Sequence, residues 1–170
     1  MPGAPETNLI TISRLAIERE IENIGFRSFL KAMDGAIIDG LVHRLNDEIS
    51  AQIDCTTCGN CCKTFMISVE PDELLPLADH LEIPVVEVQQ QYLEQSGQGN
   101  FIINTIPCHF LADNKCTIYN NRFSACREFP HLHMNGFTQR LQSVVQHYAV
   151  CPIVFNVVEA LKTELDFVDE

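Results

Sequence analysis

The sequence predicts a mostly helical α+β fold: a single compact helical domain with a small β-hairpin, organised around a cysteine metal site. Three observations carry that prediction. Apolar residues recur at helical spacing through the first third of the chain. Short apolar runs bounded by turn residues are confined to its middle. Eight cysteines, led by Cys55-x-x-Cys58-x-x-Cys61-Cys62, cut across the helical pattern. With 170 residues the chain has the length of one domain rather than two.

Residues 1–8 read as a loose leader. Over positions 10–53, Phe26, Leu30, Met33, Ile37, Leu41, Leu45 and Ile49 fall three or four apart, and Ile38 and Val42 widen the stripe. Gly25, Gly35 and Gly40 interrupt it, so the expectation is two helices with a break near Gly25. After the cysteine run, 65–69 reads as a short strand. Glu70-Pro71-Asp72-Glu73 then opens a helix, with proline in the first turn and acids placed for the macrodipole. That helix carries Leu74, Leu75, Ala78 and Leu81 and is shortened or kinked by Pro76. Pro84 opens another, with Val85, Val88 and Leu93 inward. Segments 101–103 and 108–111 are strand-like, and the second leads through 112–115 to 116–119 as a hairpin. A short helix is expected around 123–126, and two more over 138–147 and 153–167, parted at Cys151-Pro152. The resulting organisation is 1–54 as helical support, 55–152 as the cysteine-cluster region and 153–170 as a terminal helix, all in one structural domain.

Acidic residues number 23 against 11 basic ones, a net charge of -12. Such a chain repels phosphate backbones and anionic lipid, so no nucleic acid and no membrane partner is expected. Met1 to Asn8 carries no basic region leading into an apolar stretch, and no window reaches the roughly 20 apolar residues of a membrane span. The expected location is cytoplasmic, where thiols stay reduced and clustered cysteines serve metal or redox chemistry.

Within the run, each C-x-x-C pair sets two sulfurs in one tight turn, as a metal centre requires. Gly59 lets the backbone turn and aim amides at the sulfurs. Three cysteines at C-x2-C-x2-C can cap three irons of a cubane, with a distant fourth followed by proline, as in bacterial ferredoxin runs. Cys55, Cys58 and Cys61 fill the three places, and Cys151-Pro152 the fourth. On that spacing a [4Fe–4S] iron–sulfur cluster is favoured over zinc (Zn), although all-thiolate surroundings suit both. Adjacent side chains diverge in most backbone conformations. Cys61 and Cys62 are therefore expected to serve different centres, or one of them to stand behind the metal. Cys108 and Cys116, on neighbouring strands, are expected to converge on one metal, with Cys126 joining from the short helix. Eight thiolates fill at most two four-ligand sites. Isolated cysteines are often plain core, but four within eight positions are too many for packing alone. His109, His131 and His133 are read as polar neighbours, since thiols are abundant. Arg122 and Arg127 flank Cys126, where they can hydrogen-bond sulfur and offset thiolate charge or pair with surface acids.

The ordered set of motifs resembles a known family. The run at Cys55 is followed by Pro107-Cys108-His109-Phe110-Leu111, Cys116-Thr117-Ile118-Tyr119, Arg122, Cys126-Arg127-Glu128-Phe129-Pro130 and Cys151-Pro152. This is similar to the YkgJ-type CxxCxxCC cysteine-cluster family, described as a zinc- or iron-chelating domain, over residues 55 to 152. The resemblance implies metal or iron–sulfur binding in a small bacterial protein. It points to the eight cysteines, with Gly59, Tyr119, Arg122, Arg127 and Pro130 as their framework. Two positions depart from the family: Phe123 stands where proline usually follows the arginine, and His109 where proline commonly follows the cysteine. Flagellin lysine N-methylases carry a similar cluster and use S-adenosylmethionine, but this chain is short and shows no additional domain for that activity.

Three functions compete. The first is a metal-binding protein in redox, metal-handling or accessory work, which needs no catalytic residues. The second is a cluster-dependent enzyme, such as a methyl or electron transferase. The third is a thiol redox protein. The chain has no Gly-rich phosphate loop, no H-E-x-x-H and no G-x-S-x-G, which favours a non-enzymatic role with metal ions as the partner.

Overall fold

The computed structural model describes residues 4–97 and 99–168. These form ten α-helices and five short strands. In order they are α1 (Leu9–Glu18), α2 (Glu20–Lys31), α3 (Gly35–Ser50), α4 (Cys55–Cys58), α5 (Asn60–Thr64) and β1 (Ser68–Val69). Next come α6 (Leu74–Leu81), α7 (Val85–Tyr92), β2 (Leu93–Gln95), β3 (Phe101–Ile103), β4 (Leu111–Ala112) and β5 (Lys115–Cys116). The chain closes with α8 (Ser124–Glu128), α9 (Leu141–Tyr148) and α10 (Pro152–Glu164). This is the mostly helical architecture with little sheet that the periodicity predicts. Two compact units can be described within it: residues 1–54 with 130–170, and the intervening 55–129.

The helical unit starts with capping. Asn8 accepts from the amides of Ile10 and Thr11 to begin α1, and Asp34 from those of Ala36 and Ile37 to begin α3. The expected break near Gly25 is not observed, because Gly25 lies inside α2. The chain breaks instead at Arg19 and over 32–34. The Asp34 cap restarts the helical register, so Ile38, Val42, Leu45 and Ile49 face inward while Ile37 is 61% exposed. The extended stretch before α1 is tethered, since Asn156 bonds both the amide and the carbonyl of Glu6. Residues 1–3 of the expected leader lie outside the described residues.

Helix α10 forms the centre of this unit, with Val154, Val157 and Leu161 fully buried. It also buries Lys162, whose ammonium donates to Glu22 at 2.8 Å and Glu159 at 2.9 Å. Glu159 in turn pairs with Arg19 and accepts from the Tyr148 hydroxyl, so each charge in this network is answered. Buried Asp39 on α3 accepts from the amides of Gly136 and Phe137, anchoring the turn before α9. No single described helix is long and apolar enough to cross a membrane. The α9–α10 pair, bent by 115°, meets the length and composition of a span, but α10 is a core helix.

The 55–129 unit is assembled from shorter pieces. Its three-stranded antiparallel sheet runs β1-β3-β2, with Ser68 opposite Ile102 and Leu93 opposite Ile103. Strand β2 was not expected: Leu93 continues the helical spacing of α7, yet it pairs with β3 instead. Pro76 does not kink α6. It falls in the first turn, where its missing amide has no intrahelical partner to lose. A hairpin is present as β4–β5, but only Leu111 of the expected strand 108–111 and Cys116 of the expected strand 116–119 are paired, and Cys108 precedes the hairpin instead of lying on a strand. Asp113 and Asn114 both hold positive φ (49° and 63°), the arrangement of a two-residue type I′ turn.

Candidate metal centre

Six of the eight thiols line one cavity in the 55–129 unit. Cys55, Cys61, Cys62, Cys108, Cys116 and Cys126 surround a space of ≈ 220 Å³ that opens to solvent. They arrive from four places. Cys55 starts α4, Cys61 and Cys62 lie in α5, Cys108 precedes the hairpin whose β5 carries Cys116, and Cys126 sits in α8. Cys108, Cys116 and Cys126 also pack against the apolar core built on Val69, Leu77, Val88, Ile103 and Phe110. Cys58, at the end of α4, does not line the cavity. Cys151 belongs to the helical unit, where it precedes Pro152 as the buried N-cap residue of α10.

Backbone contacts hold the run against the hairpin. Gly59 joins α4 to α5 at φ +60°, and a Cβ there would lie 2.6 Å from the carbonyl oxygen of Asn114. Only glycine satisfies both conditions. Lys63 also bonds the Asn114 side chain. The Cys108 amide donates to the Cys62 carbonyl at 2.8 Å. The sulfurs of Cys61 and Cys62 are 4.0 Å apart, so these neighbours do not diverge. Phe123 carries φ -58° and ψ 153°, dihedrals open to proline, and its ring fills the core. The departure from the family at this position therefore preserves the turn.

Electrostatics divide the thiols. Hydrogen bonding from Cys62 pulls Cys61 down to about 7, helped by nearby backbone amides and the Arg122 charge and opposed by burial. Cys62 is driven up, first by that same hydrogen bond and then by burial and neighbouring thiolates. Of the pair, Cys61 is the thiol that gives up its proton first. Burial is the leading cause that pushes Cys126 up to about 12 and also raises Cys108 and Cys116. A metal must displace these protons.

Arg122 lines the cavity with its guanidinium 3.8 Å from the Tyr119 ring centroid. Arg127 lines it as well and bonds the Arg122 carbonyl. The sequence reading overlooked Glu73. Its carboxylate accepts from the Glu70 amide in a capping box and from the Ser124 amide at 2.6 Å, and lies 3.7 Å from Arg127. It thereby fixes the start of α8 and so the place of Cys126. The Glu70-Pro71-Asp72-Glu73 signature gave only its local half. His109 leans on Asn104 and edge-on against Tyr92.

Among the described residues, no three His, Cys, Asp or Glu side chains form a group already closed to ion-coordinating geometry. The thiols are spread around the cavity wall. The donor set nevertheless fits a thiophilic metal: it is all sulfur, half-buried except at exposed Cys55, and faced by two cations. A family model described as "Putative zinc- or iron-chelating domain" matches residues 54–152. No curated protein and no solved structure matches the chain.

Proposed function

Because the chain belongs to the CxxCxxCC family, we propose that it is a cytoplasmic metal-binding protein whose 55–129 unit holds zinc or iron through cysteine thiolates. The observation that carries this reading is the convergence of six thiols, scattered from Cys55 to Cys126, on one cavity. Packing alone gives no reason for such convergence, since apolar side chains would fill the space better. Bound metal supplies positive charge that stabilises the thiolates. The chain's own residues set the sulfurs in place, and Arg122 and Arg127 offset surplus negative charge. Redox, metal-handling and accessory roles all follow from such a centre without a catalytic side chain.

A second reading makes the bound group a [4Fe–4S] cluster. The C-x2-C-x2-C spacing of Cys55, Cys58 and Cys61 favours it. Elemental analysis of anaerobically purified chain tests both readings. Stoichiometric zinc in a colourless protein supports the ion reading, and iron with acid-labile sulfide the cluster. Cys116→Ser is expected to lower metal content by half or more. Full metal content in that variant, or no metal in the native chain, overturns the assignment.

A further inference from the structure

We propose that the cavity of the 55–129 unit is a binuclear site, in which two divalent zinc or iron ions share six thiolates. The six are Cys55, Cys61, Cys62, Cys108, Cys116 and Cys126. The proposal rests on the thiolate–metal reading above and adds to it a nuclearity and a ligand set.

Donor number is the first argument. A tetrahedral ion is saturated by four thiolates, so a single ion would leave two of the cavity's thiols unused. Two tetrahedral ions bridged by a pair of thiolates use all six, a ratio known from two-zinc, six-cysteine modules. Placement is the second. The six thiols line one space of ≈ 220 Å³, which has room for two ions about 3.5–4 Å apart. Sulfur spacing is the third. With metal–sulfur bonds of about 2.3 Å, two thiolates on one tetrahedral ion lie about 3.8 Å apart. Cys61 and Cys62 are 4.0 Å apart. On a cubane each thiolate caps its own iron and the sulfurs splay outward, so this pair matches an ion better than a cluster.

Charge balances simply. Two divalent ions and six thiols give a bridged core of net charge −2, with six protons released to solvent. Arg122 and Arg127, the two cations lining the cavity, face that charge. No electron transfer is involved.

Titrating the reduced, metal-free full chain with Co²⁺ under anaerobic conditions tests the proposal. Thiolate-to-cobalt absorption is expected to saturate at two equivalents. The magnetic moment per ion should fall as the second enters, because bridging sulfur couples the pair. Cys58→Ser should give the same endpoint, while Cys62→Ser should bind one equivalent or less. Alkylation of the unmodified zinc-loaded protein provides a readout independent of any variant. Iodoacetamide should label Cys58 and spare the six cavity thiols. An endpoint of one equivalent, or loss of metal in Cys58→Ser, overturns the binuclear site and leaves metal binding intact. Iron with acid-labile sulfide from anaerobic cells replaces it with a cluster. Failure to bind cobalt or zinc at all refutes the thiolate–metal reading itself.

Discussion

The helical unit and the 55–129 unit are built by different means. In the first, helices of up to 16 residues bury apolar faces along their length, and α10 is almost wholly interior. In the second, among the described residues, no helix exceeds eight residues and no strand exceeds three, and an apolar cluster around Val69, Leu77, Val88, Ile103 and Phe110 forms the core. Units this small seldom gain more than about 3–5 kcal/mol from a core alone, and natural ones add a metal or disulfides. What the helical unit gains from packing, the cysteine unit is expected to gain in part from a bound ion.

The largest test removes that ion. Structural zinc contributes on the order of 10 kcal/mol in small domains. Stripping the metal should therefore accelerate hydrogen exchange and proteolysis across 55–129 by orders of magnitude, with residues 9–50 and 141–164 still protected. Equal protection in both units after stripping would abolish the contrast. The converse change strikes packing. Leu161→Ala, at a fully buried site on α10, should cost about 2–5 kcal/mol. Calorimetry should record a lower Tm while elemental analysis finds unchanged metal per chain. Metal lost together with Tm would mean the units stand or fall as one.

Much of this was legible in sequence, for identifiable reasons. The hairpin announced itself through Asp113-Asn114, and the α9–α10 break through Cys151-Pro152, because turn and proline chemistry act locally. The break at Arg19 carried no such signal, and Gly25 carried a false one, since packing tolerates a glycine inside α2. Leu93 satisfied the helical period and a strand edge alike, and only pairing with Ile103 decided it. The cysteines themselves were plain to read. Which of them share a cavity was not, nor was the reuse of Glu73 by Ser124, because both depend on residues some fifty positions apart meeting in space.

The smallest expected effect is a pH dependence confined to the helical unit. Burial, then the neighbouring His131, holds His147 below its usual 6.5. The unfolded chain therefore binds a proton at this residue more readily than the native one. The stability involved is present above about pH 6.5 and fades as pH falls through the lower native value. His147→Gln should flatten the acid limb of a Tm-versus-pH curve without altering metal content. An unchanged acid limb would assign that limb to other groups.

The order of synthesis follows from the discontinuity of the helical unit. Helix α3 packs against α10, and Asp39 waits for the amides of Gly136 and Phe137. As the ribosome extends the chain at roughly 5–20 residues per second, α1 to α3 emerge long before their partners exist. The segment from Cys55 to Phe129 is complete while the end of the helical unit is still untranslated. The nascent chain therefore presents its thiols to cellular metal before its longest-range helix contact can form.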